Sequence, residues 1–183
     1  MKTSFVFLAD GFEEIEVLAT IDVMRRAGMP VVTVSINPTL QVTGAHGVPV
    51  IADALIGDCN LNEAEWLICP GGMPGATNLA ACQPLADALV AHNRAGGKVA
   101  AICASPAIVL APLGIITGRD AVCYPGMELE CGAKWAATAM VVVDANVVTG
   151  RGPAAACEFG LTIVRETLGA NAAMQVAQGM LIA

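Results

Sequence analysis

With 183 residues, mostly aliphatic side chains, 4% aromatics and 19 glycines, the chain has room for one full core, expected as a single domain over residues 1–183, and suits a parallel sheet covered by Ala-rich helices. A formal net charge of -7, with no basic run longer than Arg25-Arg26, argues against nucleic acid and anionic membrane as partners. Seven cysteines form an odd set with no C-x-x-C spacing and no nearby His pair, which argues against a disulfide framework or zinc site and for reduced thiols in the cytoplasm.

Thr3 to Leu8 reads as the opening strand, and its apolar run is cut off by Asp10, Glu13 and Glu14, too soon for an export signal. Asp10-Gly11 turns the chain into a helix from about Glu13 to Ala27 that ends at Gly28, a C-capping residue. Glu13 and Glu14 fall in its first turn, where they meet the positive end of the helix dipole. Glu16 differs. Steps of three or four residues from Phe12 give Glu16, Ala19 and Val23, so its carboxylate shares an otherwise apolar face. Such a group has a raised pKa or a partner, unless it snorkels from the edge of that face. Pro30 to Ser35 supplies the next strand and completes a right-handed β-α-β unit. Gln41 to Thr43 and Val48 to Ile51 read as a hairpin outside the main alternation, with His46 at its tip as a solvated turn residue.

Trp66 to Cys69 is a strand ending in Pro70-Gly71-Gly72-Met73-Pro74-Gly75. That turn is either an ordinary glycine turn or a nest of backbone N–H groups suited to an anion or oxyanion. Pro84 to Ala95 should be helical, with His92 on the solvent side. Lys98 to Ile102, small and β-branched behind Gly96-Gly97, reads as a strand buried on both faces. Ser105 can cap a helix and Pro106 fits its first turn, so Ala107 to Leu110 should start one. Cys103 then sits on a sharp turn at the carboxyl edge of the sheet, facing a helix N-terminus that lowers a thiol pKa. The competing reading is a small buried hydrophobe.

Val99 to Gly118 carries no charge and has nominal membrane-spanning length, but Pro106, Pro112 and Gly114 break it into strand, short helix and turn. Ala121 to Cys123 reads as a short strand before Tyr124-Pro125-Gly126, Lys134-Trp135 as irregular, and Met140 to Val143 with Asn146 to Thr149 as a hairpin. Gly150 to Ala155 formally matches G-x-G-x-x-A, but too little chain follows to complete a dinucleotide-binding unit. Cys157 to Leu168 and Asn171 to Leu181 close the chain as helices, and neither cofactor nor metal is expected.

Several stretches together resemble the ThiJ/PfpI superfamily in its DJ-one-like branch. They are L-A-D-G-F-E-E-I-E from Leu8 to Glu16, D-V-M-R-R-A-G from Asp22 to Gly28, P-G-G-M-P-G-A-T-N from Pro70 to Asn78, A-A-I-C-A-S-P from Ala100 to Pro106, and G-R-G-P with E-F-G-L between Gly150 and Leu161. The resemblance implies a flavodoxin-like three-layer α/β/α sandwich with a mostly parallel sheet, a nucleophile-elbow cysteine and a homodimer. It places the nucleophile at Cys103, its glutamate at Glu16, anion-binding backbone at Gly72 and Ala104, and an arginine near them at Arg151; the glycine turn adds Gly71 as a further anion-binding position, and Tyr124 and His46 are accessory candidates. It also implies glyoxalase or deglycase chemistry on a small reactive carbonyl or a glycated thiol or amine. An oxidative-stress sensor or chaperone is the alternative, with protease and thiazole-phosphate roles behind both. The chain departs from relatives that carry His at position 124 or directly after the cysteine, so no imidazole base is evident at Cys103, against a Cys-His-Asp hydrolase.

Overall fold

The structure, a computed structural model, describes residues 1–182. Strands β1 (Ser4–Leu8) and β2 (Val31–Ser35) flank helix α1 (Glu14–Arg26), and β3 (Gln41–Thr43) and β4 (Pro49–Ile51) form the expected hairpin. After β5 (Ala54–Leu55) and β6 (Trp66–Cys69) come helices α2 (Gly75–Ala81) and α3 (Gln83–Arg94) and strand β7 (Lys98–Ile102). The rest comprises β8 (Asp120–Ala121), β9 (Lys134–Trp135), β10 (Val141–Asp144), β11 (Val147–Gly150), α4 (Ala156–Leu168) and α5 (Ala170–Gly179).

Seven strands make one sheet in the order β10-β11-β7-β6-β1-β2-β5, parallel except for β10. Period-two alternation divides the core between its faces. Val6, Leu8, Ile68, Ala100 and Ile102 pack against α1, α4 and α5, while Phe5, Phe7, Leu67, Val99 and Ala101 pack against α2, α3 and the chain around Leu110. This is the three-layer, flavodoxin-like sandwich. Helix α1 lies close on α4 because position 160 is glycine: a Cβ there would stand 2.9 Å from Val23 Cβ. Among the described residues no helix is long and apolar enough to cross a membrane.

Locally the structure differs from the sequence reading at several points. Residues 75–81 form a helix, and Ala54–Leu55 adds an edge strand; both segments are too short for a periodic signal. Lys134-Trp135 is a short strand paired in parallel with Asp120–Ala121, one step before the strand expected at Ala121 to Cys123. Pro106–Leu110 winds as a wide turn in which the Ala111 N–H donates to Pro106 O, five residues back. Ser105 does not cap it, because its hydroxyl donates to Pro70 O instead. His92 is half-buried over Gly97 with Nε2 buried and unpartnered, so burial holds its pKa below the ordinary histidine value.

Candidate functional site

The site lies where β1, β6, β7 and β11 end, the edge at which open parallel sheets bind ligands. Cys103 follows β7 with φ +64, a left-handed backbone that is uncommon for a side chain with a Cβ and that aims the thiol off the sheet edge. Both of its peptide groups are tied: its N–H donates to Gly150 O at 2.8 Å, and its carbonyl accepts from the Tyr124 N–H at 2.8 Å. The residue is buried, with 7% of its surface exposed. The buried Ser105 hydroxyl, donating to Pro70 O, ties this elbow to the glycine turn after β6.

Glu16 reaches the same point from α1 and is wholly buried. Its Oε2 accepts the Gly71 N–H at 2.8 Å, its backbone N–H donates to the Glu13 carboxylate at 2.7 Å, and its carboxyl group lies beside the Cys103 side chain across Gly71. Oε1 is buried without a hydrogen-bond partner. The anion that Gly71 binds is therefore the protein's own glutamate. The Gly72 and Ala104 N–H groups face the sulfur. A Cβ at Gly71 would stand 2.6 Å from Cys103 Cβ and 2.8 Å from Glu16 Oε2, so only glycine lets the three groups meet. Gly71→Ala is expected to destabilise the fold by about 1–3 kcal/mol, read as a fall in Tm.

Burial pushes the Glu16 carboxyl up to about 7; hydrogen bonds from Cys103 and Gly71 oppose the rise, and the Glu13 charge adds to it. Burial, the Glu16 charge and the hydrogen bond to Glu16 push Cys103 up to about 12, against the pull of the Gly72 and Ala104 N–H groups. This overturns the expectation of a lowered thiol pKa. The wide turn after Cys103 is too short to act as a helix dipole, and a carboxylate beside a buried sulfur disfavours a second negative charge. Above about pH 7 the pair holds one proton, on the Cys103 sulfur, and Glu16 titrates where a general base works best.

Tyr124 and Arg151 line a cleft of about 320 Å³ with Pro125, Met140 and Gly152 to Ala155, along the two segments hydrogen-bonded to the Cys103 backbone. His46 is elsewhere. Its N–H and Nδ1 meet the two Glu14 carboxylate oxygens at 2.6 and 2.7 Å, so the structure joins it to Glu14 and not to Cys103. That contact raises the His46 pKa, while at Glu14 the effect of burial is outweighed by the same bonds and the pKa falls. Glu13, Glu14 and His46 offer ligand atoms within 4.8 Å of one another, yet Glu14 already holds His46, Glu13 caps Glu16, and the helix N-terminus opposes a cation.

Two contributors escaped the sequence reading: Glu13, as the group that fixes the Glu16 backbone, and Ser105, as the tie to Pro70. The E-x-x-E spacing from Glu13 to Glu16 was the available signal for the first. Nothing in the sequence announces the second.

A family model described as the DJ-1/PfpI family matches residues 2–166. Protein DJ-1 homolog B of Arabidopsis thaliana is 34% identical over 176 residues, 96% of this chain and 40% of that protein. The chain thus spans less than half the length of that relative, and 45% of the homolog A protein of the same plant. The Caenorhabditis elegans protein named glutathione-independent glyoxalase DJR-1.2 is 35% identical, with 91% of this chain and 89% of that one covered. Oxidised Toxoplasma gondii DJ-1 superposes with a TM-score of 0.93 at 36% identity, covering 100% of both chains. Matched in sequence from residue 2 to residue 166 and in fold along its whole length, the chain belongs to the DJ-1/PfpI family.

Proposed function

We propose that this protein is a glutathione-independent glyoxalase that converts methylglyoxal to lactate through Cys103 and Glu16, with carbonyls carried on glycated thiols or amines as related deglycase substrates. The observation that carries the proposal is the Glu16 carboxyl, poised near neutrality, beside the Cys103 thiol and the Gly72 and Ala104 N–H groups. The C. elegans relative bearing that activity's name supports the choice of substrate.

In this scheme Cys103 Sγ adds to the aldehyde carbon while Glu16 takes the thiol proton. The alkoxide is held by the Gly72 and Ala104 N–H groups and receives that proton, giving a hemithioacetal. Glu16, a carboxylate again, removes the former aldehyde hydrogen as a proton and returns one to the neighbouring carbon through an enediol. The product is a lactoyl thioester on Cys103. Water cleaves it to lactate and free thiol, so methylglyoxal and water make lactic acid with no external oxidant. A Cys-His hydrolase lacks support because His46 is held by Glu14 and His92 lies beside Gly97, at the opposite end of β7. Incubating purified protein with methylglyoxal and assaying lactate tests the proposal; absence of lactate, or lactate formation that survives Cys103→Ala, overturns it.

A second reading rests on the unpartnered Glu16 Oε1. Two equivalents of hydrogen peroxide convert the Cys103 thiol to a sulfinic acid with release of two waters, and a protonated Glu16 donates to one sulfinate oxygen. This would serve a non-catalytic oxidative-stress sensor or chaperone. Mild peroxide should add two oxygens at Cys103 alone; oxidation scattered over the other six cysteines contradicts the reading.

The reading also places the protein in the cytoplasm, as one domain, acting as a homodimer. Exposed Ile15 and Leu18 on α1 and Val48 and Ile51 around β4 supply apolar surface for the dimer. Light scattering is expected to give twice the 18.6 kDa of one chain, and a monomer's mass contradicts it.

A further inference from the structure

Four of the six arginines, Arg25, Arg26, Arg119 and Arg165, lie within ion-pair distance of a carboxylate. Among the described residues Arg94 and Arg151 make no such pair, and they differ in setting. Arg94 is exposed at the end of α3, whereas Arg151 is half-buried in the lining of the cleft beside Cys103. The other lining groups are apolar or backbone: Pro125, Met140, Pro153, Ala154, Ala155 and the Tyr124 ring, which lies over Gly152. A guanidinium without a carboxylate partner on an otherwise apolar wall is a recognition element for a planar anion, which it can grip with two parallel N–H donors.

The cleft is also too large for methylglyoxal alone. Its volume of about 320 Å³ is at the low end of small-molecule sites, and five heavy atoms occupy only a fraction of it. Its lining includes Tyr124, whose N–H donates to the Cys103 carbonyl, and Arg151, which follows the Gly150 carbonyl that accepts the Cys103 N–H, so the cleft adjoins the Cys103 backbone.

We infer that this cleft is a subsite for carbonyl compounds with an apolar body and a carboxylate, and that Arg151 selects for the carboxylate. The inference rests on the proposed attack of Cys103 on a carbonyl and names the class of substrate it takes.

The test measures binding, so that it does not depend on turnover. Phenylacetate and its uncharged isostere phenylacetamide are titrated into isotopically labelled protein, with Kd taken from amide shifts. Phenylacetate is expected to bind at least about tenfold more tightly, with shifts at the amides of Tyr124, Arg151, Gly152, Ala154 and Ala155. The preference disappears in Arg151→Gln and survives in reduced form in Arg151→Lys, which keeps the charge but not the fork. Equal affinities in the wild type, a preference that survives Arg151→Gln, or shifts confined to other surfaces overturn the inference. Lactate production assayed on the same preparation separates the two ideas. Selective binding without turnover removes the glyoxalase reading and leaves the carboxylate subsite, while turnover without selectivity does the reverse.

Discussion

Cys103→Ala is expected to lower kcat/KM for methylglyoxal by about 10⁴-fold or more, to the background of the uncatalysed reaction, because every step of the scheme passes through a bond to its sulfur. The loss should be chemical and not structural. Alanine keeps the Cβ, accepts the same φ of +64 no worse than cysteine, and leaves the backbone bonds to Gly150 and Tyr124 untouched. The lost atom costs about 1 kcal/mol of packing, which thermal melting should show as a small change in Tm. Activity that vanishes while Tm barely moves places the sulfur in the chemistry. Activity that persists places the reaction elsewhere, and the six remaining cysteines then become the candidates.

Glu16→Gln is expected to cost about 10²–10⁴-fold in kcat/KM, the range for loss of a positioned general base. Its effect on stability runs the other way. In the folded protein the carboxyl titrates at about 7 against an ordinary 4.5, so between these values the native state holds a proton that the unfolded chain has released. The stability contributed by the neutral carboxyl is therefore complete below about 4.5 and is lost as pH rises through about 7, by roughly 3 kcal/mol in total. Glutamine carries no such penalty and still offers an oxygen to the Gly71 N–H. The variant should melt above the wild type at pH 8, and the gap should close by pH 5. A variant less stable than wild type at both pH values would show that the glutamate is a structural ion, with no strain stored at the site.

The fold was legible because its buried segments stand out. The continuous apolar runs of β1, β6 and β7 read as strands and the Phe12-Glu16-Val23 face of α1 as largely core-facing, and burial bears them out. The meeting of Glu16, Gly71 and Cys103 was legible for a related reason: glycine runs and a lone carboxylate on an apolar face are local departures that a sheet edge brings together. The proton's location was not. It depends on how far the sulfur is desolvated and on the distance to one carboxylate, and neither has a sequence signature. Likewise Ser105 has the identity of an N-cap, but Pro70 O competes for its hydroxyl, a contact made across 35 residues. His92 was misplaced because helical phase says nothing of Gly97, whose missing side chain makes room for the ring.

In the proposed reaction the Glu16 carboxyl, titrating near 7, accepts the proton that Cys103 holds. The pH dependence of Cys103 alkylation by iodoacetamide, followed by peptide mass in wild type and Glu16→Gln, tests it most directly. In wild type the rate should rise through a step near pH 7, level off, and rise again toward pH 12; in Glu16→Gln the lower step should be absent. A single step well below 7, unchanged by Glu16→Gln, would mean a standing thiolate held by the backbone alone and would contradict the account.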